Sequence, residues 1–291
     1  MKNFLAGATV ACILASAEIL RELHTFEVRH YSIPLPKMKK EEKRKVLFLT
    51  DLHGKEYGKE NRRLIKKIRE EKPDYILIGG DMLTRTKKET EQKALRLFSH
   101  LAGICPVYAA NGNHEQKMKE NLEDYGTRYE KYKEAVKSTG VHLLENDSVS
   151  LHLGGQPVKV TGLEIPLSCY SRVKREELRV SQISERVGVS EKEEYQILLA
   201  HNPAFISQYW EWGADLVLSG HLHGGIVRIP GIGGVITPQF KLFPRYSGDM
   251  YQKDGHISVV SKGLGTHTVN VRLFNPAELT AVTFYGSKSQ D

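Results

Sequence analysis

Residues 45–53 read Lys45-Val46-Leu47-Phe48-Leu49-Thr50-Asp51-Leu52-His53, and this stretch decides the fold. Val46 to Leu49 is an unbroken apolar run, as a strand buried on both faces requires. It ends on an acid, with a histidine two residues later. The same design recurs twice downstream. Asp74-Tyr75-Ile76-Leu77-Ile78 ends at Gly79-Gly80-Asp81, and Pro106-Val107-Tyr108-Ala109-Ala110 ends at Asn111-Gly112-Asn113-His114. Helical periodicity over Glu60–Glu70 and Lys88–Leu101 separates the three runs. Strand, polar turn and helix in repetition predict an α/β arrangement with largely parallel strands. In such sheets ligands collect at the carboxyl ends of the strands, where all three polar clusters stand.

Working outward, Gln196–Ala200 is a further buried strand ending at His201. Asp215–Leu218 is another, ending at Ser219-Gly220-His221-Leu222-His223. Glu120–Thr139 reads as a polar surface helix, and Val141–Gly162 as a meander of antiparallel strands. Arg172–Glu194 reads as an exposed, charged helix and Gly224–Phe243 as loop. Ile257–Ser261 and Leu279–Tyr285 look like closing strands. Upstream, Thr25–Ile33 alternates as a strand does, and Pro34–Arg44 reads as an exposed turn or linker.

The chain of 291 residues is long enough to bury a large core, and its net charge of +7 attracts anions without choosing among them. Cys12, Cys105 and Cys169 lack pair spacing, which excludes a disulfide framework and a cysteine-based zinc site. Basic runs such as Lys37–Lys45 stand alone, with no recognition module or aromatic-basic strip, so no specific nucleic-acid partner is expected.

The five polar clusters carry metal chemistry. Carboxylates bridge and neutralise cations, neutral imidazole suits iron, zinc and manganese, and an Asn carbonyl adds a ligand without adding charge. In Asp51-Leu52-His53 and His221-Leu222-His223 the donors are two apart, so on an extended backbone each pair faces one side. A lone pair of this kind is weak evidence. Five in this order, each closing a strand, form a strong pattern. His24, His30, His100, His142, His152, His256 and His267 stand outside it and read as ordinary histidines.

The set Asp51-x-His53, Gly80-Asp81, Gly112-Asn113-His114-Glu115, His201 and Gly220-His221-x-His223 resembles the signature of calcineurin-like metallophosphoesterases. The resemblance runs from Lys45 to about Tyr285. Further stretches, including Leu199-Ala200-His201-Asn202-Pro203 and Phe243-Pro244-Arg245-Tyr246, resemble a bacterial membrane-associated phosphodiesterase subgroup. The resemblance implies a four-layer sandwich, two mixed β-sheets flanked by α-helices. It implies two divalent metal ions (Mn, Fe or Zn). Asp51, His53 and His223 would hold one ion, Asn113, His201 and His221 the other, and Asp81 would bridge them. His114 would be catalytic, stabilising phosphoryl oxygens or protonating the leaving alkoxide, with Arg228 or Arg245 as helpers. The implied function is phosphoester hydrolysis, with a phosphodiester preferred, by a metal-bridging hydroxide attacking phosphorus. A phosphomonoesterase and a non-catalytic scaffold are the alternatives. Two positions depart from the family pattern, Gly54-Lys55 after the first His and Glu115 where Asp is commoner. Both read as changes to the rim of the pocket.

Residues 45–286 then form the metallophosphoesterase domain, 25–44 a strand and charged linker, and 1–24 an amino-terminal anchor or signal-like helix. Phe4–Leu20 is apolar or small except for Glu18, and as helix it spans about 26 Å against a bilayer core of about 30 Å. Three readings compete for it: a membrane anchor, a cleaved signal peptide leading to secretion, and a helix packed on the domain. The expectation is a membrane-associated enzyme acting on a small-molecule or lipid-linked phosphoester, with no obligate protein partner.

Overall fold

The structure is a computed structural model that describes residues 2–171, 174–229, 231–237, 240–266 and 269–286. Among these the strands are β1 (Phe26–Leu35), β2 (Lys43–Leu49), β3 (Tyr75–Ile78), β4 (Val107–Ala109), β5 (His142–Leu143), β6 (Asp147–Leu153), β7 (Gln156–Leu163), β8 (Tyr195–Ala200), β9 (Leu216–Ser219), β10 (Val227–Ile229), β11 (Gly233–Ile236), β12 (Asp249–Lys253), β13 (His256–Val260) and β14 (Ala277–Gly286). The helices are α1 (Lys2–His24), α2 (Arg62–Glu71), α3 (Glu89–Ala102), α4 (Asn113–Glu120), α5 (Leu122–Tyr125), α6 (Arg128–Ser138), α7 (Val180–Val187) and α8 (Ile206–Trp212).

Alternation within the apolar strands builds several cores at once. Val46 and Phe48 of β2, Leu77 of β3, Ile197 and Leu199 of β8, and Val282 and Phe284 of β14 face inward, into one core between two sheets. Leu47 and Leu49, with Ile76 and Ile78, face outward onto α2, α3 and α6 through Leu64, Ile68, Leu97, Phe98 and Val136. On the second sheet Leu198 and Val217 face α7 and α8 through Ile183, Tyr209 and Trp210. The strands are therefore buried on both faces, which is why they read as continuous apolar runs. Truncating Phe48 to Ala at the sandwich centre would cost about 3–5 kcal/mol.

The first sheet has the order β1-β14-β2-β3-β4-β5, with β14 antiparallel to β2 and the other pairs parallel. The second has the order β12-β13-β9-β8-β7-β6, parallel in its centre and antiparallel at both ends. Two mixed sheets flanked by helices are the architecture that the resemblance implies.

Local differences have local causes. Strand β1 continues through Pro34 because it is an edge strand, where a missing N–H breaks no ladder on its open side. The segment after His223 forms the β10–β11 hairpin, not only loop. Glu120–Thr139 is divided among the end of α4, α5 and α6, and α6 buries Tyr129, Tyr132 and Val136. Of Arg172–Glu194 only α7 is helical; Arg172 and Val173 lie outside the described residues. Strand β5 joins β4 in the first sheet, so the antiparallel meander is confined to β6 and β7.

The membrane anchor is overturned. No helix among the described residues is long and apolar enough to cross a membrane. The expected attachment through α1, and the membrane-associated localisation drawn from it, fall with that finding. Gly7, Thr9 and Ser16 dilute its apolar run, and Glu18, Arg21 and Glu22 close it with charges that a bilayer core penalises. Its last turn docks on the domain instead. Leu23 and Glu22 are buried, the Glu22 carboxylate accepts the Asn275 N–H at 2.9 Å, and Lys55 donates to the Leu23 carbonyl.

Candidate metal centre

The loops that follow β2, β3, β4, β8 and β9 meet at one edge of the sandwich. Asp51 and His53 follow β2, Asp81 follows β3, Asn113 and His114 open α4, His201 follows β8, and His221 and His223 follow β9. Three groups of donor atoms lie within 4.8 Å of one another: Asp51 with His53 and His223, Asp81 with His201 and His221, and His53 with Asp81 and His114. His201 Nε2 is 3.2 Å from Asp81 Oδ2, and His223 Nε2 is 3.5 Å from Asp51 Oδ1. His53 Nε2 and His223 Nε2 are 3.3 Å apart. Donors about 2.0–2.2 Å from a shared ion lie roughly 3–3.5 Å from one another, so these spacings suit a cation among them. His24, His30, His100, His142, His152 and His256 are absent from the groups, and His267 lies outside the described residues.

The backbone that delivers these side chains is not extended, as residue alternation had implied. Asp51, His53, Asp81, His221 and His223 all have positive φ, between 50° and 68°. Left-handed backbone at a non-glycine residue costs on the order of 1–3 kcal/mol, so surrounding bonds must hold it. The β2–β3 ladder continues past the strands to do so: Asp51, His53 and Gly54 donate to the carbonyls of Gly80, Asp81 and Met82, each at 3.0 Å. Leu264 and Gly265 donate to Thr50 and Asp51 from the other side. Two glycines make room for the carboxylates. A Cβ on Gly220 would stand 2.1 Å from Asp51 Oδ2, and one on Gly112 would stand 2.3 Å from Asp81 Oδ1.

Hydrogen bonds fix which nitrogen of His53, His201 and His223 faces the centre. Nδ1 of His201 lies 2.7 Å from the Gly79 carbonyl, Nδ1 of His223 lies 3.1 Å from that of Gly265, and Nδ1 of His53 lies 3.3 Å from that of Leu83. A carbonyl only accepts, so these Nδ1 atoms carry a proton and Nε2 is the nitrogen that faces the centre, as second-shell bonding arranges for metal-ligating histidines. His114 is wired the opposite way. Its Nδ1 accepts the Arg85 N–H at 3.1 Å, which puts its own N–H on Nε2.

The charge balance suits a cation. His53 and His221 are held well below the ordinary histidine range, mainly by burial, and present neutral rings. His201 is pushed up to about 10: burial opposes its charge, but Asp81 and Asp51 outweigh it. The centre therefore holds positive charge tightly at that position, and a metal ion satisfies the same pull. Among the described residues Asn113 Oδ1 is buried without a hydrogen-bond partner, the condition expected of a donor reserved for an ion. The residues present fit a divalent metal.

Several supporting residues were not legible in advance. Glu115 is no rim residue. It is buried, and its carboxylate accepts the N–H groups of Asp81, Met82 and Gly112 at 2.9, 2.9 and 3.1 Å, bracing the Asp81 turn. Burial and the Asp81 charge push it up to about 7. Arg272 is buried and donates to the carbonyls of His223, Lys262, Gly263, Gly265 and Asn275. Asn275 adds side-chain bonds to the His223 and Gly225 carbonyls at 2.7 and 2.6 Å. Arg228 is committed elsewhere, paired to Asp249 at 2.6 Å. Arg245 lines a cleft beside His221.

Comparison with known proteins follows the same geometry. The calcineurin-like phosphoesterase profile matches residues 44–225, a span that brackets every residue of the centre. YpbG of Bacillus subtilis (strain 168) is 26% identical over 283 residues, covering 96% of this chain and 95% of its own. The metallophosphoesterase YkuE of the same organism is 27% identical, covering 82% of this chain and 78% of its own. Phosphodiesterase YaeI of Escherichia coli (strain K12) is 29% identical over 67% of this chain and 66% of its own. With a family match across more than half its length and the ligand-bearing loops gathered at one edge, the chain belongs to the calcineurin-like phosphoesterase family and is a metal-dependent phosphoesterase.

Proposed function

We propose that this chain is a phosphodiesterase that works with two divalent ions. Asp51, His53 and His223 would hold one, Asn113, His201 and His221 the other, and Asp81 would serve both. The observation that carries this reading is the contrast in imidazole wiring. Three imidazoles of the proposed ligand set turn Nδ1 to a backbone carbonyl and Nε2 inward, where it can give its lone pair to an ion, whereas His114 accepts a backbone N–H on Nδ1 and keeps an N–H on Nε2. His114 is thereby separated from the ligands although its ring centroid is 5.0 Å from that of His53.

When bound, the ions supply Lewis-acid activation of water and of the phosphoryl group; nitrogen-rich donor sets of this kind take Mn, Fe or Zn. The rest falls to the chain. Asp81 Oδ1 accepts the His114 backbone N–H at 2.8 Å, which leaves Oδ2 facing His201. The Asp51 carboxylate accepts the His221 backbone N–H on both oxygens, at 2.9 Å on Oδ2 and 3.1 Å on Oδ1, and Oδ1 also faces His53, His201 and His223. His114 donates its Nε2–H to a phosphoryl oxygen as negative charge builds there. With Nδ1 already accepting, the ring has no second proton to give. Stabilisation of the oxyanion is therefore favoured over protonation of the leaving alkoxide.

The diester preference is supported by a cleft of about 740 Å³ beside His221, large enough for a second ester arm. YaeI, a relative, carries the name phosphodiesterase. The test is to load purified protein with Mn, Fe or Zn, count ions per chain, and compare hydrolysis of bis-p-nitrophenyl phosphate with p-nitrophenyl phosphate. Two ions per chain and faster diester hydrolysis are expected. Faster monoester hydrolysis would make it a phosphomonoesterase. Bound metal without turnover of either ester would make it a scaffold.

A further inference from the structure

The cleft beside the metal centre is lined asymmetrically in charge. Tyr170 and Arg175 bound it after β7, Asn202 and Ser207 at the start of α8, and Lys241 and Arg245 on the far side, and it opens onto His221. Tyr170 forms the shared wall, its ring 5.2 Å edge-on from that of His221. Arg175, Lys241 and Arg245 reach the cleft, and among the described residues no Asp or Glu lines it. Among the described residues none of the three has a carboxylate within 4.0 Å, unlike Arg228 on the neighbouring hairpin, which Asp249 neutralises. Two of the guanidinium groups are already positioned, Arg175 over the Phe205 ring at 5.3 Å and Arg245 over the Tyr246 ring at 5.1 Å. An arginine stacked by its face keeps its N–H edge available and loses less entropy when it binds an oxyanion.

One phosphodiester brings a single negative charge, and the metal centre consumes it. Three cations lining the same cleft, none with an ion-pair partner among the described residues, have nothing to do for such a substrate. We propose that the cleft binds a second phosphoryl group, so that the substrate class is a phosphodiester with one ester arm carrying a further phosphate. This rests on the phosphodiesterase reading and names its substrate more closely. A cavity of about 740 Å³ falls within the range of small-molecule sites and accommodates a phosphorylated arm with a ring or sugar between the two phosphorus atoms. The reaction itself is ordinary hydrolysis. Water oxygen bonds to the scissile phosphorus, the P–O bond to one arm breaks, and the water proton ends on the departing oxygen. The second phosphoryl group is unchanged and serves as a handle.

A matched pair of probes isolates that handle: thymidine 5′-(p-nitrophenyl phosphate) with and without a 3′-phosphate. For the metal-loaded wild type, kcat/KM should favour the 3′-phosphorylated probe about tenfold, the worth of one charge-assisted contact, and the preference should shrink as salt rises. In the Arg175→Ala/Lys241→Ala/Arg245→Ala variant the ratio between the probes should fall to within about twofold of one. Turnover of both probes at equal kcat/KM by the wild type overturns this proposal and leaves the phosphodiesterase reading standing. A preference that survives in the triple variant also overturns it. Failure to hydrolyse either probe with any of Mn, Fe or Zn overturns the phosphodiesterase reading and this proposal together.

Discussion

Arg272→Met removes the donor that five backbone carbonyls share. Three of them keep a second partner: the Asn275 side chain on His223 O, the Glu278 N–H on Gly263 O, and His223 Nδ1 on Gly265 O. The carbonyls of Lys262 and Asn275 lose the donor described for them. A buried carbonyl left unsatisfied costs about 1–3 kcal/mol, so the direct loss is about 2–6 kcal/mol. Part is returned, because burial disfavours the guanidinium charge and no carboxylate among the described residues pairs with it. Methionine also refills most of the volume. The net expectation is a destabilisation of about 2–4 kcal/mol, seen as a melting temperature about 5–10 °C lower in a domain of this size. The second consequence is specific to the metal centre. Arg272 sets both the His223 carbonyl and the Gly265 carbonyl that orients the His223 ring, so metal affinity should fall by about 10–100-fold. Chelator competition followed by a metal-sensitive dye measures that affinity, and thermal denaturation of the metal-free protein measures stability separately. Arg272→Lys should recover little, since one ammonium cannot span five acceptors. If Arg272→Met keeps wild-type metal affinity and melts within 1–2 °C of wild type, Arg272 positions nothing.

His114→Ala should lower kcat by about 10²–10³ with metal content unchanged, the size of one lost oxyanion donor. The factor should be the same for aryl and alkyl esters, because a neutral donor does not transfer its proton; a larger loss on the alkyl ester would restore general-acid catalysis. Metal uptake should release a proton from His201, whose ring holds one up to about pH 10 in the metal-free centre. The sign follows directly: proton and metal compete for Nε2, so affinity rises with pH toward that value. Calorimetry in buffers of different ionisation enthalpy reads the released proton, and a pH-independent affinity between pH 6 and 9 would refute the competition.

The sheet strands of this fold were legible because burial on both faces writes itself as a run such as Val46–Leu49, and because polar residues interrupt that run only where it must end. The candidate site was legible for a related reason: Asp51, Asp81, Asn113, His201 and His221 each stand just beyond such a run. Backbone conformation was not. A spacing of two residues is compatible with an extended strand and with the left-handed turns found at Asp51, His53, His221 and His223, and only the bonds from neighbouring loops separate them. Arg272 carried no pattern, since one arginine in an irregular segment looks like a surface charge until five carbonyls surround it. Glu115 was misread for the same reason, because its partners are N–H groups of a distant turn. The apolar stretch in α1 was over-read. It falls a little short of a bilayer core, and small residues and Glu18 leave it short of the apolarity that crossing requires.

The most direct measurement is anomalous diffraction at the absorption edge of the bound metal, from crystals of the loaded protein. Two peaks are expected, one within bonding distance of Asp51, His53 and His223, the other of Asn113, His201 and His221, with Asp81 touching both. A single peak, or a peak ligated by His114, would contradict the shared two-ion centre.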